Sequence, residues 1–552
     1  MLCLSVLALA CSMGSQNQPS ETKPSMPAII PRPVELELQS GTFSIKDSTA
    51  ILIQSRDPQA KAVGEYLASW LRQRTGFKLP VRKLTNNADS KGHFLLATAG
   101  RHLEGGNEAY HLTISPERVG VFAPRAKGLF YAVQTIRQLL PPELESARAA
   151  AVAKTKKPLH LPCLRITDNP RYRWRGLLLD CGRHFMSKEF IKRTIDLLAY
   201  HKMNVLHWHL TEDQGWRIEI KKYPKLTELG AWRKATRDSE QPRENGLYGG
   251  FYSQDDIKEI VAYAKSRFIE VIPEIEMPGH SGGALAAYPE LSCTGGPFEV
   301  STRWGVHKDV YCAGDDKTFE FLQDVLTEVI ELFPAPFIHI GGDECPKDRW
   351  KACEKCQARI KAEGLANEHE LQSYFIRRIE KFLSSKGRRL IGWDEILEGG
   401  LAPQATVQSW RGLKGAVAAA KAGHDVISSP TSHCYLDYPH SKDDPGYPNW
   451  MGVTSLEQIY SFEPTPSELS PEQAKHILGA ECNMWTEHAP QNRVDHQVFP
   501  RLCALAEVTW SPQKARDWKD FSARMKTHYR RLKSLGVTYY RPPPPPPRAK
   551  QP

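Results

Sequence analysis

The sequence predicts an α/β protein in which a (β/α)8 barrel follows a small α+β domain. Three observations lead there. After Arg165, short apolar runs alternate with amphipathic helices, the rhythm of a parallel sheet wrapped in helices. Eight such runs fit within roughly 330 residues, the size of a barrel with long inserted loops. The first of them, RGLLLDCGRHF, is not followed by the Gly-x-Gly-x-x-Gly turn that a doubly wound sheet would carry.

At 552 residues the chain is too long for one ordinary core. With 41 % apolar and 25 % charged residues it has a globular composition. The net charge of +10 is spread along the chain, and no Lys/Arg run resembles an arm that tracks phosphates, so nucleic acid is not an expected partner. Thirteen tryptophans, many beside Gly, Asp and Glu, suit a flat hydroxylated ligand as well as a core.

Residues 1–28 form a leader and linker. Leu2 to Ala10 is apolar but too short to span a bilayer. It has the form of an export signal, and LALA followed by Cys11 resembles a lipoprotein cleavage box, although no Lys or Arg precedes it. Export is expected, to the periplasm or outer membrane with a lipid on Cys11, or as a secreted protein. Residues 29–160 form the small domain. Its helices are VGEYLASWLRQRTG, stopped at Gly76, and KGLFYAVQTIRQLLPP, ended by Pro141 and Pro142. FLLATA, YHLTIS and VGVFA are strands, the last two a hairpin. Glu145 to Pro158 is an exposed connection.

The barrel occupies residues 161–512. Its strands are Arg175 to Asp180, Val205 to Leu210, Phe268 to Glu276, Phe337 to Gly342, Arg389 to Glu395, Ala405 to Trp410, His424 to Ser429 and Ile477 to Trp485. Between them lie helices such as SKEFIKRTIDLLAYHKMN, with Ser187 as N-cap, and KTFEFLQDVLTEVIELF. A basic helical segment, 513–540, and a proline-rich tail, 541–552, complete the chain. The tail is expected to be a stiff polyproline II spacer. The oligomeric state is open between monomer and homodimer.

Barrel active sites lie where the strands end. Polar and aromatic residues do collect there: Asp180 and Arg183; His207, His209, Glu212 and Asp213; Glu274, Glu276 and His280; Asp343 and Glu344; Trp393, Asp394 and Glu395; Trp410; Tyr435 and Asp437; Trp485 and Glu487. No nucleophile elbow or phosphate-cradling loop is present. Acids beside indoles suit glycoside hydrolysis. A metal hydrolase using His207, His209, Glu274 or Asp343 is the competing reading. Cys293 and Cys312 flank a Gly-rich loop with a spacing compatible with a disulfide in an exported chain. Cys353 and Cys356 form a C-x-x-C whose surroundings supply no further zinc ligands.

Taken together, RGLLLDCGRHF, LHWHLTEDQGWR, PEIEMPGH, HIGGDE, GWDE and NMWTE resemble the bacterial β-N-acetylhexosaminidases of glycoside hydrolase family 20. The resemblance covers the barrel and, more loosely, the domain before it. It implies a retaining exo-glycosidase that removes terminal β-linked GlcNAc or GalNAc, with the substrate's acetamido oxygen as nucleophile, an oxazolinium intermediate, and no cofactor or metal. A non-catalytic carbohydrate-binding relative is the alternative within the family.

By the same resemblance Glu344 is the general acid/base and Asp343 orients the acetamido nitrogen. Tyr435 donates to the acetamido oxygen. Arg183 and Glu487 hold the 3- and 4-hydroxyls, and Asp437 the 6- or 4-hydroxyl side. Trp393, Trp410 and Trp485 wall the sugar. Asp213 and His280 support the acid/base. Glu212 stands where many relatives have Asp, a departure expected to matter little. Two physical expectations accompany the assignment. Asp343 should raise the pKa of Glu344 while itself staying ionised. Because neighbouring strand residues point oppositely, the Gly-Gly turn must break that alternation to bring both acids to one site.

Overall fold

The computed structural model describes residues 26–98, 105–146, 158–236, 239–240, 242–445, 447–448 and 450–541. The leader with Cys11 and the proline run lie outside them. Among the described residues no helix is long and apolar enough to cross a membrane.

The small domain is a mixed seven-stranded sheet of β1 (Glu35–Ile45), β2 (Ile51–Gln54), β3 (Val81–Lys83), β4 (Phe94–Thr98), β5 (Tyr110–Ile114), β6 (Val119–Ala123) and β7 (Leu159–Asp168), in the order β1-β7-β5-β6-β4-β2-β3. Strands β5 and β6 form the expected antiparallel hairpin. Helices α1 (Pro58–Thr75) and α2 (Ala126–Leu139) pack together over the sheet. Asp57 caps α1 by accepting the Gln59 N–H, and Gly76 ends it in the left-handed conformation. Strand β7 runs past residue 160, returning between β1 and β5 so that the sheet ends at Asp168.

The barrel closes from eight parallel strands: β8 (Trp174–Asp180), β9 (Val205–His209), β10 (Glu270–Glu274), β11 (Phe337–His339), β12 (Arg389–Trp393), β13 (Thr406–Ser409), β14 (Val426–Ser428) and β15 (Ile477–Met484). Helices α3 (Lys188–Tyr200), α4 (Gln254–Lys265), α5 (Asp316–Leu332), α6 (Glu354–Ala362), α7 (Glu368–Ser385), α8 (Lys414–Lys421) and α9 (Arg501–Trp510) lie outside it. Between β12 and β13 there is only a single turn, Asp394–Leu397. The strands are buried on both faces, as strands under a helical coat must be.

A buried ion pair joins the two units. Lys202, just beyond α3, places its ammonium 2.8 Å from Asp168 at the end of β7, and neither side chain reaches solvent. Tyr110 and the Trp510 indole also donate to that carboxylate. The final helix, α10 (Trp518–Ser534), adds a second tie. Its Arg524 pairs with Glu507 and donates to the Ile29 carbonyl, and Arg531 reaches the carbonyls of Ala28 and Gln138. Removing one member of a buried pair strands the other charge. Lys202→Met should therefore cost about 3–5 kcal/mol, read as a lower denaturant midpoint; an unchanged midpoint would show the junction does not depend on the pair.

Candidate active site

The barrel interior is layered. At the amino ends of the strands Trp174, Val205, Ile272, Ile391, Ile427 and Leu478 form an apolar plug. Above it the strand alternation of β9 sends His207 and His209 inward together, with Leu206 and Trp208 outward. Glu274 binds both histidines, accepts from the Trp393 indole at 2.9 Å and contacts His339 at 2.8 Å. Glu481 takes His207 at 2.7 Å, Gln408 at 2.9 Å and the Trp174 indole at 2.9 Å. Of the residues a metal hydrolase would use, His207, His209 and Glu274 are thus held together beneath Trp393, while Asp343 lies apart from them beside His280. Higher still, Trp393, Tyr435, Trp485 and Leu178 form one apolar cluster, with Trp410 packed against it. The Trp410 ring stacks toward Tyr435 at 6.2 Å, and its indole N–H donates to Glu395 at 2.9 Å.

The two adjacent acids enter from the end of β11. The strand stops at His339, and Gly341, Gly342 and Glu344 all take positive φ (68°, 93° and 43°). The alternation is therefore broken where it had to be. Gly341 is obligatory there: a β-carbon would lie 1.7 Å from Glu276 Oε2. Glu344 has no such freedom, and its backbone strain, on the order of 1–3 kcal/mol, is of the kind found at functional sites.

His280, also at positive φ (47°), stands between two sets of acids. Its Nδ1 is 2.9 Å from Glu212 and 3.4 Å from Asp213, and its Nε2 is 3.5 Å from Glu344 and 3.6 Å from Asp343. Burial opposes a charge on the ring, but Glu212, Asp213 and Glu344 outweigh it and lift the pKa well above the usual imidazole range. Arg183 is the second cation. It contacts Glu212 at 2.7 Å, Asp180 at 3.4 Å and Glu487 at 3.7 Å, and lies over the Trp485 ring at 4.9 Å.

The geometry thus brings Arg183, Asp213, His280, Asp343, Glu344 and Glu487 into one charged network, beside the apolar cluster of Trp393, Trp410, Tyr435 and Trp485. Asp437 lies in the field of Glu487; burial first, then Glu487, raises its pKa well above the carboxylate range. Asp343 Oδ1 and Asp437 Oδ1 are buried and accept no hydrogen bond among the described residues.

Two expectations need correction. The proton does not rest preferentially on Glu344. The His280 ring holds the Glu344 carboxyl below its usual range, against partial burial, while burial and then Glu344 push Asp343 up to about 6. Proximity of the acids alone suggested the reverse: the resemblance placed His280 beside the acid/base, but not its charge or its reach to both carboxyls. Glu212 also matters more than expected, since it touches both cations and accepts the Asp213 N–H.

Two carboxyls escaped assignment. Burial, then Asp343, pushes Glu395 up to about 8 and raises Glu276 well above its usual range. Both sat at strand ends in the sequence, and that position was their only signal. An open groove of about 730 Å³ leaves the site on the Glu344 and Glu395 side, with Val306, Lys347, Lys351 and Arg411 along it. The C-x-x-C pair was expected to lack partners, yet Cys293 and Cys312 fold onto it with sulfurs 3.7–3.8 Å apart.

Residues 172–513 match the glycosyl hydrolase family 20 catalytic domain, and residues 26–169 match domain 2 of that family. The chain is 44 % identical over 545 residues to a β-hexosaminidase of Porphyromonas gingivalis, covering 98 % of this chain and 68 % of that one. It is 36 % identical to a β-hexosaminidase of Vibrio furnissii, over 91 % of this chain and 79 % of that one. Among solved structures, a family 20 β-N-acetylhexosaminidase of Streptomyces coelicolor aligns with a TM-score of 0.81 at 33 % identity, covering 95 % of this chain and 100 % of that one. A mutant Streptomyces plicatus β-hexosaminidase in complex with its product GlcNAc aligns at 0.80 and 33 %, covering 94 % and 98 %.

The site geometry yields a direct spectroscopic prediction. His280 should carry protons on both ring nitrogens at neutral pH, visible in its 15N NMR shifts; a neutral tautomer there would contradict the charge arrangement described above.

Proposed function

The chain belongs to glycosyl hydrolase family 20, and from this we infer that it is a retaining, exo-acting β-N-acetylhexosaminidase working by substrate-assisted catalysis. One observation carries the reading: Asp343 and Glu344 face a common cation, His280, beside a pocket walled by Trp393, Tyr435 and Trp485. In family 20 chemistry the acetamido oxygen of the substrate attacks its own anomeric carbon while the glycosidic oxygen departs with a proton. The protein must then supply an acid, a partner for the amide N–H, and a closed pocket for the sugar.

Asp343 is the amide partner. Its unpartnered Oδ1 offers a buried acceptor that strengthens its grip as positive charge grows on the nitrogen. Glu344 gives the proton to the leaving oxygen and later takes one from water. Its side chain is 40 % exposed, against 14 % for Asp343, and it borders the open groove, so the departing sugar covers it. That covering disfavours the carboxylate and raises its pKa, while the amide N–H stabilises ionised Asp343. Substrate binding therefore shifts proton affinity from Asp343 toward Glu344, and the pair titrates as a unit.

Arg183 and Glu487 take the 3- and 4-hydroxyls, and Asp437 a further hydroxyl. Tyr435 donates to the acetamido oxygen, and Trp393, Trp410 and Trp485 enclose the ring and methyl group. Asp213 and Glu212 position His280 and through it both acids. The substrates are terminal β-linked GlcNAc or GalNAc residues. A non-catalytic relative would need a disabled acid, and both acids remain. The apolar run before Cys11 supports export, with a lipid on that cysteine. Cys11→Ala should move the protein from the membrane fraction to the soluble one, and an unmoved distribution would remove the anchor.

Asp343→Asn should keep sugar binding and lose about 10²–10³-fold in kcat, and should also lose tight inhibition by a thiazoline analogue of the oxazolinium. Full retained rate would refute its role. Glu344→Gln should lose about 10²–10⁴-fold on substrates with poor leaving groups and much less on activated aryl glycosides; equal losses would count against it as the acid. Removing the cation raises both carboxyl pKa values, so His280→Gln should move the acid limb of kcat/KM to higher pH. An unshifted limb would detach His280 from the pair.

A further inference from the structure

We propose that Cys293, Cys312, Cys353 and Cys356 form a tetrathiolate zinc site that fixes the loop beside the acid Glu344. The four sulfurs lie within 4.8 Å of one another. The close pairs are 3.8 Å for Cys293–Cys356, 3.8 Å for Cys312–Cys353 and 3.7 Å for Cys312–Cys356. A disulfide brings its sulfurs to about 2.05 Å, and none of these pairs approaches that. Zinc–thiolate bonds of about 2.3 Å directed to the corners of a tetrahedron place the sulfurs about 3.8 Å apart. These three edges match a zinc tetrahedron, and the remaining ones lie within 4.8 Å.

The surroundings are built for such a cluster. Cys353 and Cys356 sit at the start of α6, and Gly314 packs against the turn between them. A β-carbon on Gly314 would lie 2.3 Å from the Lys355 carbonyl carbon and 2.4 Å from the Cys356 nitrogen. The Gly314 N–H donates toward the Cys312 sulfur, and the Lys355 ammonium, held by Asp315 at 2.5 Å, lies in the field of Cys312 and Cys353. Both offset the negative charge of four thiolates. Cys312, Cys353 and Cys356 are buried, and Cys293 is half-buried. Binding would release the protons of the four thiols and involve no change of oxidation state.

The site joins two active-site loops. Cys293 and Cys312 bracket the base of the excursion after β10, where Ser292 bridges to Tyr311 and the Cys312 N–H donates to the Leu291 carbonyl. Cys353 and Cys356 follow β11 and the short helix Asp348–Ala352, where Trp350 donates its indole N–H to the Tyr311 carbonyl at 2.9 Å. The excursion also meets the site: Ser301 donates its backbone N–H to the Asp213 carbonyl, and Val306 borders the groove with Glu344. Zinc would hold this wall in place without touching the reacting atoms.

The test uses the full chain, expressed with zinc and purified without a metal-affinity step. Elemental analysis should find one zinc per chain. Cobalt(II) exchanged into the protein should give the visible absorption of a tetrahedral cobalt thiolate. Cys353→Ser should lose both signals, with Cys293→Ser as the second variant if that one does not fold, whereas Cys163→Ala, in the small domain, should keep them. Iron in place of zinc would overturn the assignment. So would a metal-free protein, whether its four thiols are free or its mass is four hydrogens lower, the mark of two disulfides. These readouts do not involve catalysis, so their failure leaves the glycosidase reading intact.

Discussion

Electrostatics sets the terms at the mouth of this barrel. Asp180, Glu212, Asp213, Glu276, Asp343, Glu344, Glu395, Asp437 and Glu487 converge there, and Arg183 and His280 are the cations that face them. So many carboxyls cannot all ionise in a buried space. The site therefore sorts them. Asp180, Asp213 and Glu344, in contact with Arg183 or His280, are held low; burial and then a neighbouring carboxyl push up Glu276, Glu395 and Asp437, although each has a cation in its vicinity. Asp343 lies between these groups, near His280 yet buried against its neighbour.

Positioning comes from the backbone as much as from charge. Glu344 and His280 both adopt left-handed conformations, and each contacts the other. Strain of that kind persists only where the surroundings over-determine it. Here Glu274 provides the floor, because its carboxylate ties His207 and His209 of β9, His339 of β11 and the Trp393 indole of β12 to β10. Chemistry at the top of the barrel thus depends on hydrogen bonds made a layer below.

Much of this was legible in the sequence, and the reasons differ by element. The eight strands could be found because strands buried on both faces are continuously apolar, and their ends carried the polar residues. The site residues Arg183, Asp343, Glu344, Trp393 and Trp485 were visible through motifs that keep fixed spacing from those ends. What could not be read was long-range juxtaposition. Nothing local to Cys353 announces Cys293, and although the resemblance put His280 near Glu344, nothing in the sequence showed that its ring also reaches Asp343 and Glu212. The last strand of the small sheet, Leu159–Asp168, was hidden for another reason. It follows a polar connection, and its partners β1 and β5 lie far back in the chain.

The arginine ties of α10 fix where the chain's start emerges. Helices of a barrel run opposite to its strands, so the carboxyl end of α9, with Glu507 and Trp510, lies at the floor, across the molecule from the catalytic mouth. Glu507 accepts the Arg32 N–H, and Arg524 beside it holds the Ile29 carbonyl. The described chain therefore begins on the side of the barrel away from the sugar-binding opening, and α10 closes over that beginning.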